Sequence, residues 1–385
     1  MVNLRFLDDR LGQQRGSGLY REPDDGQLRN EAEHWARELG VVPIDASSND
    51  YLGYARTAVS RETQSSGVSL GAGASRLIHG TRPEHCQLEN LIADWMGEPQ
   101  ALLFSSGFAA NLGVIAALAQ SGDLIISDAL NHASIVDGCR LSRAETAVVS
   151  HRDLAAVETI LRQRGRSQQC WVVTESYFSM DGDSPDLPAL RSLCDTYNAP
   201  LIVDEAHAVG VFGLQGSGLC RDLDVRPEVT IGTFGKALGA QGAFVACTET
   251  VRDWLWNHAR SFVYSTALSP WFAAEISANL RRLRKDDSAR ARLMALSEQV
   301  RNSLLQAGVP VLAASHGPII PVILGSPERA TVVASRLRAQ GILVQAIRPP
   351  TVPDNSSRLR VTLNSELSEE QTLRLSNAII KACLP

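Results

Sequence analysis

Between Ala101 and Ala246 the chain alternates short apolar runs with amphipathic stretches, and this alternation constrains the fold more than any other feature. The apolar runs are Ala101–Phe104, Leu124–Ser127, Ala147–Ser150, Trp171–Thr174, Leu201–Val203, Val229–Gly232 and Ala243–Ala246. Between several of them lie helical patterns. Phe108–Leu118 places Leu112, Ile115 and Leu118 on one face, Asp153–Arg164 carries a stripe of Leu154, Val157, Ile160 and Leu161, and Leu187–Tyr197 follows. Strands alternating with helices imply an α/β domain whose large, mostly parallel sheet is covered by helices on both faces. Beyond Pro270 the character changes. A charge-rich helical stretch reaches Gln306, and strand candidates Ile319–Leu324, Ile342–Ala346 and Arg358–Thr362 surround a helix near Ala330–Gln340. That is an α+β pattern. We expect an N-terminal arm over 1–48, a large domain over 49–275 and a smaller C-terminal domain over 276–385.

Composition excludes several classes. The 385 residues carry 44% hydrophobic content and a net charge of −5, which gives no basic footprint for nucleic acid or an anionic membrane. No apolar run approaches the roughly 18 residues of a membrane span. The start, Met1–Asp9, has acids where a signal peptide needs an apolar core. Seven cysteines without a C-x-x-C pair fit reduced thiols and a cytoplasmic setting. His79, His85 and Cys86 are neighbours without further ligands at a regular spacing, so no metal site is expected.

The chemistry-bearing residues fall just after the apolar runs, and ligands of such sheets sit outside the carboxyl ends of the strands. Leu201–Val203 delivers Asp204 and His207, and Val229–Gly232 delivers Thr233 and Lys236. Asp204-Glu-Ala-His207 also spells a helicase motif. A helicase needs an earlier G-x-x-x-x-G-K-[ST] loop, and the near match at Lys236 has Thr230 and Ala237 at two required positions. An amine, an acid and a donor suit a different partner, an aldehyde cofactor with a basic ring nitrogen. The amine forms an imine, the carboxylate holds the ring proton, and the donor meets the ring hydroxyl; pyridoxal 5'-phosphate (PLP) is that cofactor. Ser105-Ser106-Gly107-Phe108 opens a helix whose first amides can hold a phosphate. His132, in Asn131-His-Ala-Ser134, can stack on the ring. Ser179 can bond its hydroxyl, and Thr233 can reach the phosphate.

Taken together, these motifs resemble the α-oxoamine synthase family of fold-type I PLP enzymes. The matching stretches are Asn49–Gly53, Gly71–Thr81, Ser106–Asn111, Asn131–Ser134, Phe178–Gly182, Asp204–Gly210 and Thr233–Gly239, within residues 45–365. The resemblance implies that Lys236 holds PLP, Asp204 pairs with the pyridinium, and His207 with Ser179 faces the ring hydroxyl. It further implies that His132 stacks on the ring and lies near the reacting groups, and that Gly107, Phe108 and Thr233 hold the phosphate. Thr266 would reach the phosphate of a second subunit in a homodimer. Asn49 and Arg360 would take the substrate carboxylate. Thr351 and Arg21 would line the acyl side, with Arg15 or Arg29 as substitutes for Arg21. Two positions depart from the pattern. Gly235 stands where many relatives have a serine, and Ala243 replaces a common glycine.

Within that family, Ala346–Pro353 most resembles the biotin-pathway branch, which joins L-alanine to a pimeloyl thioester carried by coenzyme A or an acyl-carrier protein. The expected reaction is a decarboxylative condensation, with Lys236 as base and His132 at the thioester oxygen. A sister enzyme using glycine or serine with another acyl-CoA (glycine C-acetyltransferase, for example), a transaminase and a non-enzymatic protein on the same fold are the alternatives.

Overall fold

All seven apolar runs enter one sheet. The computed structural model describes residues 4–17, 19–21, 25–57, 60, 63, 67–165 and 168–384. The strands are β1 (Gln100–Phe104), β2 (Leu124–Asp128), β3 (Glu145–Val149), β4 (Cys170–Glu175), β5 (Leu201–Asp204), β6 (Val229–Thr233) and β7 (Ala243–Cys247). Their spatial order is β1-β7-β6-β5-β4-β2-β3. Strands β2 to β6 pair in parallel, whereas β7 runs against both β1 and β6. Six carboxyl ends therefore lie along one edge of the sheet. The inner strands β2, β5, β6 and β7 are buried along their whole length, which explains their unbroken apolar sequences. Edge strand β3 is largely exposed and begins at Glu145, two residues before its apolar run.

The helices of this unit include α1 (Pro83–Met96), α2 (Gly107–Leu118), α3 (Ala133–Ser142), α4 (Leu154–Gln163) and α5 (Leu187–Thr196). Side-chain oxygens cap three of them. Ser106 accepts the Ala109 N–H at 3.1 Å, Asp153 that of Ala156 at 2.9 Å, and Asp186 that of Ala189 at 3.0 Å. Val114 and Ile115 of α2 pack with Ile125, Val173, Ile202, Ile231 and Val245 of the sheet in one buried cluster. Removing such a side chain costs about 2–5 kcal/mol.

The chain divides into two compact units. One comprises Asp50–Ser179 and Asp183–Ala291, and the other Met1–Asn49, Met180–Gly182 and Arg292–Pro385. The boundaries expected from the sequence differ in two places. The described residues up to Asn49 group with the smaller unit rather than standing apart as an arm, and Ile44–Asp45 pairs in parallel with Ile342–Leu343 there. The boundary at 276 also moves, because helix α6 (Pro270–Leu283) packs on α1 and belongs with the large sheet. The helical stretch expected to Gln306 is in fact two helices, the second being Asp287–Gln306.

In the smaller unit, β8 (Ile319–Gly325), β9 (Gln345–Ile347) and β10 (Ser357–Thr362) form an antiparallel sheet in the order β9-β10-β8. Helices Pro327–Arg338 and Glu369–Cys383 pack against one another. The last begins with a reciprocal cap between Ser368 and Gln371. Among the described residues no helix is long and apolar enough to cross a membrane.

Candidate active site

Strand β5 ends in Asp204, a buried carboxylate that the surrounding structure holds at both oxygens. Oδ1 accepts the Ala206 N–H at 2.8 Å, and Oδ2 accepts from Asn111 Nδ2 at 2.6 Å. The same Asn111 nitrogen donates to Ser134 Oγ at 3.0 Å. Ser134 in turn lies 2.7 Å from His132 Nδ1, and its backbone N–H donates to that nitrogen at 3.2 Å. His132 thus caps α3 with its own ring. Its backbone N–H donates to Glu175 Oε1 at 2.7 Å. Register puts Glu175, the last residue of β4, directly beside Asp204.

The charges of this group act on one another. His132 is solvent-accessible in the chain alone, yet the strand ends beneath it desolvate its ring and lower its pKa; Lys236 pushes the same way and Asp204 opposes. Glu175 is fully buried, and burial together with the neighbouring Asp204 pushes its carboxyl up to about 8, against the pull of Lys236. Lys236, half-buried in the loop between β6 and β7, is therefore electrostatically coupled to both sides of the Asp204 pocket. Its loop closes in a tight turn, with the Gly239 N–H on the Lys236 carbonyl at 2.9 Å. Gly239 has φ +65, and a Cβ there would meet the Ala55 nitrogen at 2.3 Å. Only glycine meets both demands.

His207 is buried, with Nδ1 2.7 Å from the hydroxyl of fully buried Tyr51. Ser179 is half-buried in the segment after β4. Gly107 and Phe108 form the first turn of α2, and a Cβ on Gly107 would lie 3.8 Å from Thr233 Oγ1. The phosphate-loop candidate and Thr233 are thus neighbours. The Thr233 hydroxyl donates to the Gly242 carbonyl at 3.0 Å and accepts the Gly235 N–H at 3.2 Å. Phe108 meets His132 edge-on, with centroids 6.4 Å apart. Thr266 is exposed and bridges to Ser75.

The remaining candidates lie in the smaller unit, and the structure joins them in two pairs. Buried Arg360 donates to Asn49 Oδ1 at 2.9 Å and to Thr362 Oγ1 at 3.0 Å. Arg21 donates to Thr351 Oγ1 at 2.8 Å. Of the two substitutes for Arg21, Arg29 pairs with Asp45 at 2.9 Å, whereas Arg15 lies over the Tyr20 ring in the same cleft as Arg21. Arg358, on the same face of β10 as Arg360, pairs with Asp181.

Sequence reasoning missed Tyr51, Asn111, Ser134 and Glu175 as site residues. Tyr51, Asn111 and Ser134 stand inside quoted motifs, but their roles depend on contacts between distant segments. Glu175 closes an apolar run with a carboxylate, and that was its only signal.

The donor set on the large sheet (a lysine amine, a fixed carboxylate, a flat imidazole and a capped helix start) fits PLP. The family described as aminotransferase class I and II matches residues 42–379. The chain belongs to that family. An 8-amino-7-oxononanoate synthase from Acidithiobacillus ferrooxidans is 44% identical over 88% of both chains. Among solved structures, an 8-amino-7-oxononanoate synthase from Francisella tularensis superposes with a TM-score of 0.77 at 28% identity, covering 88% of this chain and 97% of that one. A serine palmitoyltransferase structure containing PLP gives 0.84 at 28% identity, covering 88% and 87%. The fold is that of the fold-type I PLP transferases, as the alternation of strands and helices implied.

Proposed function

We infer that this chain is a PLP-dependent acyltransferase. It condenses L-alanine with a pimeloyl thioester to give 8-amino-7-oxononanoate, carbon dioxide and free thiol, a step of biotin biosynthesis. The observation that carries this reading is the 44% identity, over 88% of both chains, to a relative named for that product.

Bound at the strand ends, PLP supplies an electron sink for the bond broken at the amino-acid Cα. The residues of the chain do the rest. Lys236 anchors the cofactor through its amine and takes the proton from Cα. Asp204, its two oxygens already fixed, keeps the proton on the ring nitrogen. His207, braced by Tyr51, and Ser179 bond the ring hydroxyl. The amides of Gly107 and Phe108, at the start of a capped helix, hold the phosphate with Thr233. His132 covers the ring and offers a hydrogen bond to the thioester oxygen as charge develops there.

Arg360 takes the alanine carboxylate with Asn49, a task suited to a planar guanidinium. Arg21 and Thr351 line the acyl side. A cleft of about 890 Å³ in the smaller unit contains both, together with Arg15, Arg348 and Arg338 (which also pairs with Glu31), and none of its described lining residues is a carboxylate. That charge suits an anionic donor, whether coenzyme A or an acyl-carrier protein. The active form is a homodimer in which Thr266 reaches the phosphate held by the second copy.

The likeness to serine palmitoyltransferase favours one rival, a sister enzyme that uses another amino acid. Visible absorption of the PLP-loaded protein decides between them. A spectral change with L-alanine and none with glycine or L-serine supports the reading. A change confined to glycine or serine moves the assignment to the sister reaction, and no cofactor band at all overturns it.

A further inference from the structure

We propose that Ser134 and Asn111 are positioning residues that tie His132 to Asp204 through one buried hydrogen-bond chain, fixing the imidazole as its Nε2–H tautomer and the carboxylate in one orientation. The inference rests on the reading above, in which these two groups flank PLP.

The direction of every bond in the chain follows from donor counting. Asn111 reaches Asp204 Oδ2 at 2.6 Å and Ser134 Oγ at 3.0 Å through one nitrogen, Nδ2, which uses both of its hydrogens. Turning the amide over would set its oxygen against a carboxylate at that distance, acceptor to acceptor. Oδ1 is left buried without a partner, so the amide is oriented by what Nδ2 donates to. Ser134 Oγ, having accepted from Asn111, has one hydrogen to give, and its neighbour at 2.7 Å is His132 Nδ1. The Ser134 backbone N–H also points at Nδ1, at 3.2 Å. A nitrogen that receives two donors carries no proton, so in the neutral ring the proton sits on Nε2. That is the nitrogen able to donate to a substrate oxygen.

Asn111 and Ser134 are 2% and 0% exposed, so water does not compete for these bonds. Asn111 lies on α2 and Ser134 on α3. The helices approach closely because Gly138 of α3 faces the Asn111 carbonyl, which a Cβ there would meet at 3.1 Å. The helix that presents Gly107 and Phe108 therefore also sets the carboxylate and, through Ser134, the imidazole.

The test uses the full chain with ¹⁵N-labelled histidine. Long-range ¹⁵N–¹H spectra of the PLP-free protein read the His132 tautomer, with His132→Gln to assign its signal. The wild type should show the Nε2–H form. Ser134→Ala leaves Nδ1 only the longer backbone N–H at 3.2 Å, so it and Asn111→Ala should raise the share of the Nδ1–H tautomer above that of the wild type, and Ser134→Thr, which keeps the hydroxyl, should restore the single form. In the PLP-loaded protein, Ser134→Ala should shift the pH at which the visible band titrates. It should also lower kcat roughly tenfold, the loss of about one hydrogen bond, with the KM for alanine unchanged. An unchanged tautomer in Ser134→Ala, the milder variant, would overturn the inference even if Asn111→Ala failed to fold. Absence of a PLP band in the wild type would instead sink the functional reading, and the PLP-free spectra would still decide whether the chain of bonds exists.

Discussion

At the residue scale the proposed chemistry leans most on Asp204, whose two carboxylate oxygens are held by the Ala206 N–H and Asn111 Nδ2. Asp204→Asn keeps the shape but loses the charge that, in the proposed reading, holds the ring proton. The variant should bind PLP while kcat falls about a hundredfold or more, as measured by steady-state kinetics on cofactor-saturated protein. Glu175 beside it has the opposite character. Burial and then Asp204 raise its pKa to about 8, so near neutral pH it is protonated and Gln is its closest mimic. Because the folded pKa lies above the unfolded one, the folded chain retains a proton that the unfolded chain has already released. Stability from this group therefore declines as pH rises from about 4.5 towards 8. Glu175→Gln should work normally at pH 7 and lack that decline; denaturant titrations across pH compare the two slopes. Arg360→Lys keeps the charge and loses the planar fork. It should raise the KM for alanine about ten- to a hundredfold, the worth of a charge-assisted pair, and leave PLP absorbance unaltered.

At the scale of elements, the strand ends are tied down by groups that take no part in the proposed chemistry. His151, after β3, bridges Asp128 Oδ1 at 2.9 Å and Asp183 Oδ2 at 3.1 Å, and Arg152 joins Asp183 at 2.9 Å. Burial alone would lower the His151 pKa, but hydrogen bonds to the two carboxylates raise it to about 9. A raised histidine contributes stability that is full below its unfolded pKa of about 6.5 and is lost as pH rises through 9. Thermal melts should therefore show an alkaline loss in the wild type that His151→Gln does not share. Ser106→Ala removes the cap of α2, costing about 1 kcal/mol of stability, and should weaken PLP binding in an equilibrium titration. The strands of the large sheet were legible because buried strands have unbroken apolar runs, and their ends fell within two residues. The expected strand Ile342–Ala346 instead divides into Ile342–Leu343 and Gln345–Ile347, which pair in different sheets. Ile44–Asp45 was not legible, because a two-residue strand has no pattern until Ile342–Leu343 pairs with it. The final helix, Glu369–Cys383, carried a cap signal in Ser368 and Gln371 that went unread.

For the whole molecule, the sequence disclosed the sheet and its motifs better than the division of the chain. The positions of Lys236, Asp204 and His207 at or just after strand ends could be read directly, because parallel strands send their carboxyl ends to one edge. The assignment of residues 1–48 and 276–291 could not, since it depends on packing partners hundreds of residues away. The same limit hid Tyr51 behind His207 and Asn111 behind Asp204, contacts spanning 156 and 93 positions. The central claim concerns the whole enzyme, and one assay addresses it most directly. Purified, PLP-loaded protein is mixed with L-alanine and pimeloyl-CoA, and the products are followed by mass spectrometry together with release of free thiol. The account predicts 8-amino-7-oxononanoate in step with thiol, abolished by Lys236→Ala. No condensation product with alanine, or product only when serine or glycine replaces it, would contradict it.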